Sequence, residues 1–434
     1  MKKFLRNLVT PGSFASGIAM LTSGAGLGQL FLFLSSPILM RLYPPAVFGE
    51  LAILISFTSI VAIIVTLRFE AAIPISDNDH TAHELIFIAL FFATSFAMML
   101  GVVLLLSKNN LIDLFNLYAL DNWLMVIPFN VVMEAGINTL GYWHIRKDYF
   151  FKAAMGRTWS TGTMVGLQIL LAPLVDGNLS GMIIGFTLGQ VVGLSYLFYH
   201  YLKSNPLAVW RAMTPFIVRS RISDYRQFPL YASWNSIFNT MARQAPPVIL
   251  GLFFPKYFVG QYAAAMRLLN MPFNLLGNSV GQAYYQRIFK LIQIGIPLSK
   301  FTQSTMWKAG AVVILPLLVI AFYGRYIFTF VLGSEWEMAG TMAEILVPIY
   351  FTRFISGPVS NIFPATKRQQ YILVWQLALA LVSVLTFYLG GPSDDILFLV
   401  KIYSWLTAGL YVVLGAMVLY YANNFDQTKR SYSS

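Results

Sequence analysis

The chain has 434 residues, of which 57% are hydrophobic and 11% charged. Soluble domains carry about 25% charged residues, so this composition excludes an ordinary soluble domain and indicates an integral membrane protein. The formal net charge is +12, but the basic residues fall between apolar runs, where they set orientation, and no nucleic-acid partner is expected.

In chain order, the start MKKFLRNLVTPGSF is basic but has no small-residue cleavage site after a short apolar core, so no removable signal peptide is expected. Crossing a bilayer takes roughly 20 apolar residues. Candidate spanning helices cover 14–38, 47–67, 85–106, 119–142, 153–174 and 179–201, then 228–252, 258–284, 307–331, 340–364, 371–390 and 397–421. The second ends at TLRFEAAIPI, where Arg68 and Glu70 are candidates for a gate, or for a helix-end cap and anchor. The fourth carries Glu134, the seventh Arg243, the eighth Arg267 and the tenth Arg353. Asn270, Asn274, Asn278 and Gln282 draw one polar stripe along the eighth, a face that should look at protein or water rather than lipid.

Between the sixth and seventh stretches, Lys203–Gln227 is basic with scattered apolar residues. It reads as an amphipathic linker on the membrane surface or as a solvated loop. The chain thus divides into an N-terminal lobe over 1–202, a linker over 203–227 and a C-terminal lobe over 228–434.

The lobes echo each other. At a shift of 211, Pro37–Ala52 (PILMRLYPPAVFGELA) overlays Val248–Ala263 (VILGLFFPKYFVGQYA) without a gap, with Pro44 over Pro255 and Gly49 over Gly260. At a shift of 220, Val126–Gly136 overlays Leu346–Ser356, with Pro128 over Pro348. Six helices per lobe would make the two parallel repeats, a plan that points to a transporter. Of the basic residues in connections, only Arg41, Lys108, Lys256 and Arg325 fall in the set that would lie outside. The rest, among them Lys2, Lys3, Arg6 and Lys367, place both termini in the cytoplasm. The expected fold is therefore all-α, with about twelve transmembrane helices in two six-helix lobes.

Charges inside a membrane are costly and usually functional. Arg243 and Arg267 lie twelve residues either side of Pro255. That spacing is about 18 Å of helix against about 15 Å for half the hydrocarbon core, which puts both near the midplane. Arg353 and Glu134 come out at similar depth in the tenth and fourth helices, and all four are expected to meet at one level. A guanidinium keeps its charge and forks onto phosphate or carboxylate, so Arg243, Arg267 and Arg353 suggest a cationic cavity for an anionic group. Glu134 would couple transport to protons or pair with an arginine. The bland alternatives are structural ion pairs and arginines snorkelling to the interface.

Catalysis is not expected. There is no Cys, which excludes disulfides and thiolate sites, and the four His residues are scattered in sequence without metal-ligand spacing. No nucleotide-binding GxxxxGK[ST] loop is present, and no cofactor or metal is expected. Tyr142, Trp143, Tyr284, Tyr285 and Trp375 sit near helix ends, where a saccharide would pass.

LYPPAVFGELAIL, LRFEAAIPISD, WHIRKDYF at Trp143–Phe150 and FVLGSEWEMAGTMAEIL at Phe330–Leu346 together resemble the bacterial polysaccharide-transport proteins. These are the O-antigen repeat-unit flippases of the multidrug/oligosaccharidyl-lipid/polysaccharide exporter superfamily, and the resemblance runs in order over most of the chain. It implies two six-helix lobes that open alternately to either side of the bacterial inner membrane. The implied cargo is a polyprenyl-diphosphate-linked oligosaccharide moved from the cytoplasmic to the periplasmic leaflet. The implied partners are membrane lipids, a polysaccharide polymerase and a chain-length regulator. Relatives carry a cationic cavity, in keeping with the three arginines. A drug/cation antiporter of the same superfamily would favour buried carboxylates, and a polymerase or glycosyltransferase would favour large external loops or acidic metal motifs.

Overall fold

The structure is a computed structural model that describes residues 14–433 apart from 205, 212, 367 and 394. The basic start at Lys2, Lys3 and Arg6, the cleavage-site reading and Lys367 lie outside the described residues. No strand occurs among the described residues. They form two compact units that divide between Thr240 and Met241.

The first unit opens with helices α1 (Phe14–Leu42) and α2 (Pro45–Val65). Pro44 is the residue before α2, with φ −69° and ψ 157°, and Pro45 starts the helix, where its missing N–H is no loss. A 3₁₀ segment at Phe69–Ile75 leads to α3 (Asp79–Leu106), whose N-terminus is capped by the Asn78 side chain accepting from the Thr81 N–H at 2.8 Å. Short α4 (Lys108–Phe115) precedes α5 (Val126–Arg146), α6 (Phe150–Leu171) and α7 (Leu179–Leu202). The linker residues form two short helices, α8 (Pro206–Arg211) and α9 (Pro215–Asp224). A π turn at Phe228–Ala232 then starts α10 (Ser233–Phe253), within which the two units divide.

Close packing of α6 on α7 depends on glycine. Gly181, Gly185, Gly189 and Gly193 recur every fourth residue, so they share one face of α7. A methyl group on Gly189 would lie 2.6 Å from the Ser160 carbonyl oxygen, and one on Gly193 would lie 2.8 Å from that of Gly156. Small residues at this spacing let membrane helices approach backbone to backbone.

At one end of this unit, Phe69, Ile73, Leu85, Trp143 and Tyr201 build a core with α8 and α9 over it. Trp210 of α8 donates Nε1–H to the His83 carbonyl at 3.2 Å, and Arg221 of α9 donates to the Glu84 carboxylate at 2.6 Å. That carboxylate holds the Arg221 guanidinium above its ordinary pKa. The histidines that look scattered in sequence gather here. His83 Nδ1 lies 2.9 Å from the Tyr201 hydroxyl, His80 pairs with Glu84 at 3.3 Å, and His144 packs edge-on to His200.

In the second unit, α10 leads through the repeated turn to α11 (Lys256–Pro272). The local geometry of the first copy returns. Pro255 precedes α11 with φ −51° and ψ 144°. The Tyr43 to Leu39 and Val47 to Pro44 backbone hydrogen bonds reappear, at a shift of 211, as Phe254 to Leu250 and Phe258 to Pro255. The expected eighth helix is not continuous: α11 passes into a π turn at Phe273–Gly277 before α12 (Asn278–Ile294). After α13 (Ser299–Leu332), α14 (Glu337–Ser356) ends earlier than the sequence suggests, because Pro358 has no N–H to continue the ladder and the chain tightens to a 3₁₀ turn at Pro358–Asn361. Helices α15 (Gln370–Gly390) and α16 (Ile396–Ser433) complete the unit. Asp426 of α16 accepts from the Leu298 and Ser299 N–H groups at 2.7 and 3.0 Å, capping α13 from a distant part of the chain.

Seven helices among the described residues are long and apolar enough to cross a membrane. The helices that carry Glu134, Arg157, Arg243 and Arg267 are not among them. The helix that carries Arg267 is also short, at 17 residues before the π turn. The polar residues on these four helices define the site.

Candidate functional site

The two backbone irregularities of the second unit lie side by side. Asn361 in the 3₁₀ turn donates to the Gly281 carbonyl of α12 at 3.1 Å, and a methyl group on Gly357 would lie 3.5 Å from the Phe273 ring. Arg353 sits in the last turn of α14 between them. Its Nη1 donates to Asn270 Oδ1 at 3.0 Å, and its guanidinium lies 3.9 Å from the centre of the Phe273 ring. Asn270 and Phe273 immediately flank the switch from α to π winding, so the π turn aims both at the same cation. Such turns occur frequently at functional sites. The cation also sits favourably at a helix C-terminus.

Arg267 precedes Asn270 by three residues and shares its helix face. Its Nε and Nη2 are shielded from solvent and have no hydrogen-bond partner among the described residues. Arg243 on α10 is exposed and lies close enough to Arg353 for the charges to interact, with Tyr411 of α16 also in range. The second unit therefore puts Arg243 within electrostatic range of Arg353, holds Arg353 by Asn270 and Phe273, and leaves two Arg267 nitrogens with no acceptor among the described residues. Arg267 shows no interaction with Arg243 or Arg353, so only the latter two act on one another. Guanidinium groups can take an anion without a phosphate-binding loop, because each forks onto two oxygens at once.

Glu134 is in the first unit, near the middle of α5. The Ser59 hydroxyl of α2 donates to both its oxygens, at 3.2 and 3.3 Å. The carboxylate lines a cavity of about 300 Å³ together with Asn138, Arg157 and Gln190. Arg157 donates to Asn138 at 2.8 Å. A relation between the units emerges that the sequence comparison alone did not reveal. Ser59 and Asn270 correspond at the shift of 211, and Glu134 is one residue from the position matching Arg353 at the shift of 220. Each unit thus uses the same pair of helices for one polar contact, Ser59 to Glu134 in the first and Arg353 to Asn270 in the second, with the charge reversed.

Arg68 and Glu70 form an ion pair at 3.0 Å in the turn after α2. Glu70 is 2% exposed, and burial holds its carboxyl above the usual carboxylate range against the opposing pull of Arg68. Leu67 and Arg68 both have positive φ, 49° and 59°, an unfavourable backbone for residues with side chains. Ser233, just after the π turn at Phe228–Ala232, donates to the Leu67 carbonyl at 3.5 Å.

Two of the aromatics expected to meet a passing saccharide are unavailable. Trp143 is 2% exposed, packed between a tilted His83 ring and the edge-on Tyr201 ring, and Tyr284 is 1% exposed, stacked on Phe301 and bonded to Thr302. They fill cores because neighbouring helices cover those helix ends. Among the described residues, no group of three His, Asp or Glu side chains is placed to hold a metal ion. Ser59, Asn138 and Gln190 carry no charge and so do not stand out in an apolar sequence. The four-residue glycine spacing beside Gln190 was the signal for the tight α6–α7 contact that forms one wall of the cavity.

Comparison with known proteins supplies the class. The polysaccharide biosynthesis protein family matches residues 38–340, and the chain belongs to that family. No curated protein sequence matches it. Among solved structures, it is similar to a multidrug resistance MATE family transporter of the MOP superfamily in an inward-facing conformation, at 13% identity and a TM-score of 0.66, covering 98% of both chains. It is also similar to the lipid II flippase MurJ in an inward closed conformation, at 10% identity and a TM-score of 0.72, over 92% of this chain and 87% of that one. A third is a MOP superfamily transporter from Pyrococcus furiosus, described as having a binding pocket of reverse polarity, at 14% identity and a TM-score of 0.54 over 95% and 96% of the two chains. At these identities the likeness establishes the fold. The chain is a multi-pass helical membrane protein with the fold of MOP-superfamily transporters.

Proposed function

We propose that this protein is a flippase that carries a polyprenyl-diphosphate-linked oligosaccharide from the cytoplasmic to the periplasmic leaflet of a bacterial inner membrane by alternating access. The protein crosses the membrane twelve times with both termini in the cytoplasm. A six-helix lobe over 1–202, a linker over 203–227 and a second lobe over 228–434 share a parallel repeat. The flipped unit feeds a polysaccharide polymerase and chain-length regulator.

The observation that carries this reading is Arg267, a guanidinium with two shielded nitrogens that have no acceptor among the described residues. A buried charge without a partner is costly, so the missing acceptor belongs to the cargo. A diphosphate offers oxygens enough for Arg267, Arg243 and the preorganised Arg353 together. Arg68 and Glu70 act as a gate at the end of α2, where a strained turn already stores two backbone conformations of high energy.

Glu134 supports a second role within the same cycle, coupling to a proton or pairing with a cation. A carboxylate with one hydroxyl donor in a cavity is what favours that role. It is also the observation nearest to a drug/cation antiporter, but such a transporter has no use for Arg267. The family match to polysaccharide biosynthesis favours the glycan cargo. Replacing Arg243 and Arg267 together by Ala is expected to abolish surface polysaccharide while leaving the protein inserted. Normal polysaccharide from that double variant refutes the assignment.

A further inference from the structure

The cavity in the first unit is a binding site of a different chemistry from the arginine cluster. It contains Glu134, Asn138, Arg157 and Gln190 with the Ser59 hydroxyl and the Phe186 ring. Glu134 offers two oxygens with several lone pairs and receives one hydroxyl, from Ser59. Gln190 is 5% exposed, and its Oε1 is buried with no hydrogen-bond partner among the described residues. Buried polar atoms are almost always satisfied, so an orphaned amide oxygen on a residue that lines a cavity calls for a donor. The site sets unused acceptors on Glu134 and Gln190 beside the donors of Arg157, so an occupant that meets both must carry donors and acceptors together.

Size separates the candidate donors. The cavity is about 300 Å³, whereas a water's share of volume is about 30 Å³ and small-molecule pockets begin near 300 Å³. A lone proton or metal cation would leave it nearly empty, and cations are held by several converging oxygens. Among the described residues the cavity shows one carboxylate and no such grouping. An apolar drug would leave Glu134 and Gln190 unsatisfied. A second diphosphate would meet the Glu134 charge. A sugar ring supplies hydroxyl donors on its edge, C–H faces for Phe186, and acceptors for the Arg157 guanidinium at the rim.

We propose that this cavity binds one neutral or N-acylated sugar residue of the cargo, with Gln190 and Glu134 accepting from its hydroxyl or amide donors. The inference rests on the flippase reading. It makes the charge reversal between the units functional: the second unit takes the diphosphate, the first a monosaccharide. The residues around Gln190 then set which sugar is accepted.

The test is saturation-transfer-difference NMR on the full-length purified protein. The probes are free glucose, galactose, rhamnose, N-acetylglucosamine and N-acetylgalactosamine, with pyrophosphate binding measured on the same samples. At least one sugar is expected to give signals from one ring edge. Gln190→Leu should weaken that sugar roughly tenfold, the loss of one buried hydrogen bond, and Glu134→Gln should weaken it too, both with pyrophosphate binding unchanged. Absence of signal from every sugar, in wild-type protein that binds pyrophosphate, overturns the inference and leaves the flippase reading standing. Sugar binding untouched in folded Gln190→Leu and Glu134→Gln variants overturns it as well. Failure of pyrophosphate binding in the wild type counts against the flippase reading itself.

Discussion

Replacing Arg267 by Leu should make the empty protein more stable and the transporter inactive. In the structure, Nε and Nη2 are both shielded and without acceptors, while the residue as a whole is half-buried. A buried donor left unsatisfied costs about 1–3 kcal/mol, more when charged. Two such donors cost roughly 2–6 kcal/mol, and water at the remaining nitrogen favours the lower end, near 2 kcal/mol. For a folding unit of about 200 residues, each kcal/mol moves the melting temperature by about 2–4 °C. Thermal unfolding of the detergent-purified variant, followed by tryptophan fluorescence, should therefore show a rise of about 4–8 °C. Pyrophosphate should reverse the order of merit. At a hundred times its Kd it stabilises the wild type by about 2.7 kcal/mol and gives the variant much less. A fall of several degrees in Arg267→Leu, with a wild type indifferent to pyrophosphate, would show that the arginine is a structural tie and that no anion is missing.

Four further outcomes follow from other contacts. Asn270→Ala releases the Arg353 guanidinium from its 3.0 Å hydrogen bond, and pyrophosphate affinity should drop by about tenfold or more, since a hydrogen bond to a charged group is worth about 1.5–3 kcal/mol; unchanged affinity contradicts preorganisation. Gly189→Val should abolish accumulation of folded protein because even a methyl group meets the Ser160 carbonyl oxygen at 2.6 Å, whereas Gly166→Ala, with open space around it, should be tolerated or stabilising; equal behaviour of the two contradicts the backbone-contact account. Asp426→Ala removes two caps from α13 and should cost about 1–2 kcal/mol of stability, visible as a lower melting temperature. Burial raises the Glu70 carboxyl in the folded state, so its contribution is complete below about pH 4.3 and is lost as pH rises through the raised value; wild type should lose melting temperature relative to Glu70→Gln over that rise, and a relative gain contradicts the sign.

The helical plan was legible because the chain's apolar runs are bounded by turn chemistry that acts locally. Pro44 and Pro255 start their helices in the same way because proline at a helix start requires nothing from the rest of the fold. The arginines were legible as charges in apolar stretches. What they touch was not. The stripe Asn270, Asn274, Asn278, Gln282 assumes an unbroken 3.6-residue period, and the π turn at Phe273–Gly277 breaks that phase. Neither the Phe273 stacking nor the end of α14 at Ser356 follows from composition. The histidines show the same gap. His83 and Tyr201 are far apart in sequence, and only the packing of α3 against α7 brings them within 2.9 Å. Glu134 stands alone as a charge in sequence, whereas its hydroxyl donor Ser59 comes from a helix 75 residues earlier.

The central claim is that the arginines of the second unit hold the diphosphate of a lipid-linked cargo. Native mass spectrometry of the purified protein, offered an equimolar mixture of polyprenol, polyprenyl monophosphate and polyprenyl diphosphate, tests it most directly. The account predicts retention of the diphosphate lipid over the other two, and loss of that preference in Arg243→Ala/Arg267→Ala protein that remains folded. Equal retention of all three lipids, or a diphosphate preference that survives in the double variant, contradicts it.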